Sequence, residues 1–172
     1  VYQSTAQAPT SLTVTPAANN ELSATLTWTN PSKLINGLSI TSIDKIVIER
    51  NGKIIHEENN PSAGASMTYV DNKVPSYSFF DYSVYAVING EMGNMKTVKK
   101  VQFGPTCEWK LILQSSAFQG MKGASVSILD AAGIEFENKT TATSTATTFD
   151  IDVPLGYVQF SWNPHATTQP AY

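Results

Sequence analysis

The feature that most constrains the fold is an alternation of apolar and polar residues early in the chain. Apolar residues occupy every second position from Leu22 to Trp28, polar residues fill the gaps, and Asn30-Pro31 ends the run. A period of two places the apolar side chains on one face of a β-strand. That face ends in a tryptophan, so we expect this strand to contribute a large aromatic side chain to a small two-sheet core.

The chain continues with short strands separated by turn residues. Asn51-Gly52 lies between the segments 43–50 and 53–57. Asn-Gly favours a two-residue hairpin, because both central residues of a type I′ turn need positive φ. A second turn at 89–93 follows the alternating strand Tyr82–Ile88. No helix is predicted to build a cleft, and the predicted fold class is all-β.

A break in the strand pattern divides the chain. Gly104-Pro105-Thr106 interrupts the alternation, and we place a domain boundary there. The length of 172 residues fits this division, since domains usually run from about 50 to 250 residues. The predicted organisation is two antiparallel β-sandwiches in tandem: a flexible lead-in at 1–8, a first domain at 9–104, a small sandwich at 105–165 and a tail at 166–172.

Charge and composition exclude several classes of partner. The net charge of -3 argues against a nucleic-acid partner, because phosphate binding needs a basic surface. The short basic cluster of Lys96, Lys99 and Lys100 is interpreted as a solvated strand edge. The single cysteine, Cys107, excludes an intrachain disulfide. No apolar run approaches the ~18 residues of a membrane span, so we expect a chain that does not cross a membrane.

The sequence contains no catalytic constellation. Nucleophilic catalysis needs a nucleophile and a base in contact, and Cys107 with His56 or His165 is the only thiol option. We interpret Cys107 instead as a semi-buried structural thiol that packs as a small apolar side chain. We therefore predict no catalytic residue and expect that the chain is not an enzyme.

Two pairs of carboxylates are candidates for a metal site. Asp150 and Asp152 flank one apolar residue and should share the outer face of a strand, and Glu135 with Glu137 should do the same. Calcium needs about six to eight oxygen ligands gathered from loops, which two carboxylates on a strand do not supply. We interpret both pairs as solvated faces and predict no metal and no cofactor.

Aromatic residues form two predicted groups. The inward positions, and therefore the core, are assigned to Trp28, Tyr82, Phe160 and Trp162. The ligand-platform candidates are Tyr77, Phe79, Phe80 and Tyr85. If two or three of these candidates are exposed together, they form a flat surface able to stack on sugar rings or on a protein partner. The alternative is that they close the end of the first sandwich or face the second domain.

The segment from Pro9 to about Phe103 resembles a fibronectin type III domain. The resemblance rests on Pro9, on Trp28, on the strand Tyr82-x-Val84-x-Ala86 and on the turn at 89–93. It implies that Trp28 lies between two sheets and that Tyr82 makes a corner-type hydrogen bond at the start of its strand. The stretches LTWTNPSK and IDKIVIERNGKII look like those of secreted and surface proteins of Bacteroidetes-type bacteria.

The second block resembles a short, jelly-roll-like β-sandwich repeat that follows such domains in secreted peptidases and adhesins. The resemblance rests on Cys107-x-Trp109, on ASVSILDAAG and on VPLGYVQFSW. In that family the first loop carries an Asp- and Gly-rich stretch that suggests a metal or ligand loop. The corresponding segment 115–123 keeps the glycines and has no carboxylate, so a calcium role is not carried over.

Together the two resemblances imply a non-catalytic adhesion or binding module, extracellular or at the cell surface, within a larger surface protein. The expected partner is a protein or a glycan at the cell surface, and the expected state is a monomer. One alternative is a carbohydrate-binding or spacer appendage of a secreted hydrolase, either a peptidase or a glycoside hydrolase. Another is a purely structural link in a surface stalk.

Overall fold

The structure is a computed structural model that describes residues 5–115, 120–156 and 158–164. Its regular elements in these ranges are strands, apart from one short 3₁₀ helix at Ala18–Asn20, and this confirms the predicted all-β class. The strands are β1 (Thr10–Pro16), β2 (Ala24–Thr29), β3 (Lys45–Arg50), β4 (Lys53–Asn59), β5 (Ser66–Asp71), β6 (Ser78–Ile88), β7 (Glu91–Met92), β8 (Lys96–Phe103), β9 (Thr106–Leu113), β10 (Ser125–Leu129), β11 (Glu135–Lys139), β12 (Thr147–Pro154) and β13 (Gln159–Asn163).

The described residues form two compact units. The first unit contains residues 5–74 and 79–103, and the second contains 75–78 together with the described residues from 104 to 164. The division after Phe103 lies one residue before the predicted boundary. In the described part of the chain, no helix has the length and hydropathy of a membrane span.

Two antiparallel sheets make up the first unit. One has the order β1-β2-β5, and the other has the order β4-β3-β6, with β7 and β8 both paired to β6. On the central strand β2, the alternation buries Ala24, Leu26 and Trp28 on one face, as predicted. Leu22 precedes the strand and is half-buried.

Both predicted hairpin turns are confirmed. Asn51 and Gly52 connect β3 to β4 with φ of 48° and 73°, and Asn89 and Gly90 connect β6 to β7 with φ of 52° and 77°. These are the positive values that a type I′ turn requires. The backbone N–H of Asp81 also donates to Asn51 Oδ1 over 2.7 Å, which fixes the first turn against β6.

A buried polar cluster joins the two sheets of the first unit. The carboxylate oxygen Oδ2 of Asp71 on β5 accepts hydrogen bonds from Arg50 on β3 and, over 2.8 Å, from the Tyr82 hydroxyl on β6. Because β5 belongs to one sheet while β3 and β6 belong to the other, the sheets face each other as a β-sandwich. Burial, and then the hydrogen bond to Asp71, raise the pKa of Tyr82.

The predicted flexible lead-in at 1–8 is wrong for residues 5–8. Ala6 is fully buried, and its carbonyl accepts a hydrogen bond from the backbone N–H of Asn94 over 3.0 Å. The N–H of Gln7 donates to the carbonyl of Lys33, also over 3.0 Å. A Cβ at Gly93 would lie 2.8 Å from the Cβ of Ala6, so this close approach requires glycine. Residues 1–4 lie outside the described part.

The described strands of the second unit also form two antiparallel sheets, with the order β11-β10-β13 in one and β9 paired to β12 in the other. Trp109 of β9 stacks on Phe160 of β13, and Lys139 Nζ of β11 lies 5.7 Å from the ring centroid of Phe149 on β12. These two contacts cross between the sheets at opposite edges, so the second unit is also a sandwich.

The core of the second unit lies between its inner strands. Ile128 on β10 and Ile151 and Val153 on β12 are buried. The five described strands are fewer than the eight of a full jelly roll, and the sandwich is correspondingly narrow. The predicted tail at 166–172 lies outside the described residues.

Candidate ligand-binding surface

Three large aromatic side chains lie exposed at one edge of the second unit. Trp109 on β9 is 44% exposed, and Phe160 and Trp162 on β13 are 46% and 58% exposed. The rings of Trp109 and Phe160 stack with centroids 6.4 Å apart and planes 20° apart. We refer to Trp109, Phe160 and Trp162 as the aromatic edge. Large exposed apolar side chains that lie close together are typical of interaction surfaces.

The prediction that Phe160 and Trp162 belong to the core is wrong. Both residues do lie on the inward face, since Phe160 is opposite the fully buried Ile128 and Trp162 is opposite Val126 in the β10–β13 register. However, among the described strands β13 pairs with β10 alone, and the facing sheet has two strands. A side chain at the edge of so narrow a sandwich is covered on one side, which leaves these aromatic rings half exposed.

A cavity of about 410 Å³ adjoins Trp162. This volume lies in the range of roughly 300–1,000 Å³ that is usual for small-molecule sites. The cavity therefore extends the aromatic edge into a concave site, whose described lining belongs to the second unit. That lining consists of Leu113, Gln114, Ser115, Gly120, Met121, Lys122 and Trp162.

Hydrogen bonds fix one wall of the cavity. The backbone N–H of Met121 donates to the carbonyl of Thr141 over 2.8 Å, and the Ser115 hydroxyl donates to the carbonyl of Gly120 over 2.8 Å. Gly120 has a φ of +69°, and a Cβ built on it would lie 2.4 Å from the carbonyl oxygen of Thr141. Glycine is therefore required at this position, and the wall is formed before any ligand binds.

The charge of the cavity lining is positive. Lys122 carries the one formal charge among the described lining residues and makes no ion pair within the described chain. The sequence from 113 to 123 contains no Asp or Glu. Gln114 is exposed and adds an amide that can donate and accept hydrogen bonds. The site thus offers an aromatic face, one cation and one amide.

The structure does not bring the predicted ligand platform together. Phe80 and Tyr85 are 1% and 7% exposed, Phe79 is half-buried, and Tyr77 is the one exposed member. Phe80 packs edge-on against Phe103 with ring centroids 5.7 Å apart. The interpretation of Phe80 and Tyr85 as members of an exposed platform is therefore wrong.

Tyr85 is buried although it lies on the outer face of its sheet. It forms an apolar cluster with Val47 and Val87, and its hydroxyl donates to Glu49 Oε1 over 3.1 Å. Burial, and then this hydrogen bond, raise the pKa of Tyr85. The outer face of the β3–β6 pair thus has a small apolar core of its own, which the alternation within β6 alone does not reveal.

The thiol and the imidazole that were considered for catalysis have other environments. Cys107 is exposed, because it lies on β9, which pairs with β12 alone among the described strands, so its interpretation as a semi-buried thiol is wrong. His56 stacks on Tyr69 with ring centroids 4.3 Å apart and belongs to the first unit, whereas Cys107 belongs to the second. His165 lies outside the described residues.

The two carboxylate pairs differ from each other. Asp150 and Asp152 are both exposed, as predicted, and Lys110 donates to Asp150 Oδ1 over 2.6 Å. This hydrogen bond raises the pKa of Lys110. The expectation that Glu135 and Glu137 share a face is wrong, because a register shift places Glu135 opposite Leu129 and Glu137 opposite Ile128. The described residues contain no group of three potential metal ligands.

The sequence interpretation missed Trp109 as a candidate. Trp109 alternates with Leu111 and Leu113 in the sequence, and nothing in that alternation distinguishes an edge strand from a central one. The available signal was the concentration of large aromatic residues at 109, 160 and 162 in a block with few strands to cover them.

Comparison with known proteins assigns no family. No family model matches the chain, and no curated protein matches it. Among solved structures, it is similar to the chicken interferon gamma receptor alpha chain at 15% sequence identity and a TM-score of 0.34, over 91% of this chain and 98% of that one. At that TM-score the similarity supports no conclusion about fold or function.

Proposed function

We propose that this chain is a non-catalytic binding module of a secreted or cell-surface protein and that it binds its partner at the aromatic edge. The observation that carries the proposal is the position of three exposed aromatic side chains beside a preformed cavity. The face of an aromatic ring is electron-rich and apolar, so it attracts the C–H face of a sugar ring. A glycan is therefore the ligand class that this surface fits best.

The strand pairing of the first unit supports its resemblance to a fibronectin type III domain. Its sheets have the orders β1-β2-β5 and β4-β3-β6, with the last two strands paired to β6. Trp28 lies buried in this unit, as that resemblance implies. The expected corner-type hydrogen bond at the start of the strand is not found: Tyr82 is the fifth residue of β6, and its hydroxyl donates to the Asp71 side chain. Sandwiches of this kind are common in cell-surface proteins, which favours an extracellular or cell-surface location.

The aromatic edge disfavours a purely structural spacer. A spacer needs only a soluble surface, and exposed tryptophan side chains make association and aggregation more favourable. Two tryptophans that remain half exposed at one edge are better explained by a ligand that covers them. A glycan ligand is equally compatible with a carbohydrate-binding appendage of a secreted hydrolase, which is the second candidate function.

A glycan-array screen with three protein samples tests the binding function. We expect the unmodified chain to bind one or more glycans and Trp162→Ala to lose that binding. The matched control is Ile112→Ala, which removes an exposed apolar side chain from the opposite face of β9 and should leave binding unchanged. Equal binding by all three samples would place the ligand elsewhere.

An activity assay tests the absence of catalysis. Purified chain incubated with peptide and glycoside substrates is expected to release no product above the rate of a buffer control. Turnover that increases with protein concentration would contradict the non-catalytic assignment.

A further inference from the structure

We propose that the cavity beside Trp162 binds a sugar ring that carries an anionic group, with Trp162 as the stacking surface and Lys122 as the cation that recognises the charge. This inference rests on the proposed function, since it specifies the ligand of the same surface. It adds to the proposed function a preference for acidic over neutral glycans, and it attributes this preference to the side chain of Lys122.

The shape of the site suits a single ring rather than an extended protein surface. Trp162 forms one side of a cavity of about 410 Å³, and the stacked pair of Trp109 and Phe160 continues the aromatic surface beyond it. A ring held in the cavity can stack on Trp162 while the neighbouring rings of the same glycan lie along that surface. Because hydrogen bonds hold the wall at Gly120 and Met121, little ordering cost is expected on binding.

The charge of the site suits an anion. Lys122 has no ion-pair partner within the described residues, and the segment 113–123 has no carboxylate that could repel an acidic ligand. A hydrogen bond from an ammonium to a carboxylate or sulfate is roughly twice as strong as a neutral one. The Gln114 amide, in the same lining, can hydrogen-bond to ring hydroxyl groups of either glycan class.

The net charge of the protein does not favour an acidic glycan, so the preference for an acidic over a neutral glycan has to come from a contact within the cavity. The net charge is -3, so the overall electrostatic field repels an anionic glycan rather than attracting it. Binding of such a glycan therefore needs a specific positive contact, and in the described lining of the cavity Lys122 is the residue that supplies it. Removing this charge should consequently affect acidic ligands and spare neutral ones.

Titration calorimetry with matched tetrasaccharides tests the proposal. The probes are tetrasaccharides of galacturonate, mannuronate and guluronate, the carboxyl-reduced form of each, and a heparin tetrasaccharide that carries sulfate. We expect at least one acidic probe to bind more tightly than its neutral counterpart. Binding of a uronate probe shows recognition of a carboxylate. A desulfated heparin tetrasaccharide, which keeps its carboxylates, is compared with the sulfated one to show whether sulfate is the recognised group.

Variants assign the charge recognition to one residue. Lys122→Gln should weaken binding of the acidic probe by about tenfold and leave any binding of its reduced form unchanged. Lys122→Arg should retain most of the affinity for the acidic probe. Unchanged thermal unfolding of both variants would show that the lost affinity does not come from lost structure.

The possible failures separate this inference from the proposed function. Equal affinity for an acidic probe and its reduced form, or an unchanged affinity in Lys122→Gln, would overturn the assignment of charge recognition while leaving the aromatic edge as a glycan site. Failure of all the acidic probes to bind would overturn the inference. If, in addition, no glycan on the array binds in a Trp162-dependent manner, the proposed function fails as well.

Discussion

Trp28 in the first unit and Trp162 in the second lie within strands of the same apolar alternation, yet one side chain is buried and the other is exposed. Trp28 is 3% exposed, and its indole N–H donates to Asn30 Oδ1 over 2.8 Å. Trp162 is 58% exposed, and no hydrogen bond of its indole is found within the described residues. The difference lies in their strands: β2 has a neighbour on both sides, and among the described strands β13 has one.

Alternation therefore determines which face a side chain occupies, whereas position within the sheet determines how far it is buried. The pairs of rings that cross between the sheets at their edges show the same contrast. In the first unit His56 stacks on Tyr69, and both of these side chains, which carry polar atoms, are half-buried. In the second unit Trp109 stacks on Phe160, which places apolar surface at the edge. The core of the first unit is therefore well covered by its two sheets, whereas the core of the second unit is partly exposed at one edge.

The largest expected effect is that of Trp28→Ala. Removing this buried indole should lower the free energy of unfolding of the first unit by about 3–5 kcal/mol. Urea unfolding, followed by NMR signals of residues in the first unit, measures the change. A loss below about 1 kcal/mol would show that Trp28 is not a core residue and would remove the contrast with Trp162.

The next effect concerns ion pairs in the two units. Asp71→Ala removes a buried carboxylate and leaves Arg50 and the Tyr82 hydroxyl without it, which should cost about 3 kcal/mol of stability. The matched control in the second unit is Asp150→Ala, whose exposed pair with Lys110 should contribute nothing measurable. The same urea experiment compares them, and similar losses in both variants would contradict the difference in burial.

A smaller effect, dependent on pH, is expected at Tyr82. Its pKa is raised above the ordinary value of 10.0, so the folded state retains the proton at a pH where the unfolded state releases it. The stabilisation from the protonated hydroxyl is therefore complete below about pH 10 and is lost as the pH rises above it. Between pH 9 and 11, the free energy of unfolding should fall more steeply for the unmodified chain than for Tyr82→Phe. If the free energy of unfolding depended on pH in the same way in the unmodified chain and in Tyr82→Phe, the raised pKa of Tyr82 would be contradicted.

The smallest effect on stability is expected for Trp162→Ala. Because more than half of this side chain is already exposed, its removal should change the free energy of unfolding of the second unit by no more than about 1 kcal/mol. Thermal unfolding of this variant beside Ile112→Ala measures the change. A loss comparable to that of Trp28→Ala would show that the aromatic edge is core and would remove the reason to assign it a ligand.

Features that depend on neighbouring residues could be predicted from the sequence. The strands β2, β3, β4 and β6, the turns at Asn51-Gly52 and Asn89-Gly90, and the burial of Trp28 follow from alternation and turn chemistry within a few residues. These patterns report local backbone conformation, which is why their predictions were confirmed.

Features that depend on strand partners could not be predicted in this way. Tyr85 is covered by Val47, a residue 38 positions away in the sequence, and the separation of Glu135 from Glu137 depends on a register shift against β10. The exposure of Phe160 and Trp162 depends on the number of strands in the facing sheet. The candidate site therefore became visible only when the pairing of the strands was known.

An NMR titration that observes the three tryptophan indole N–H signals, one from each tryptophan in the chain, tests whether the ligand contacts the aromatic edge and not Trp28. Addition of an acidic tetrasaccharide that binds the chain should shift the signals of Trp109 and Trp162 and leave that of Trp28 unchanged. A shift of the Trp28 signal while the other two remain in place would contradict the assignment of the first unit as core and of the aromatic edge as the binding surface.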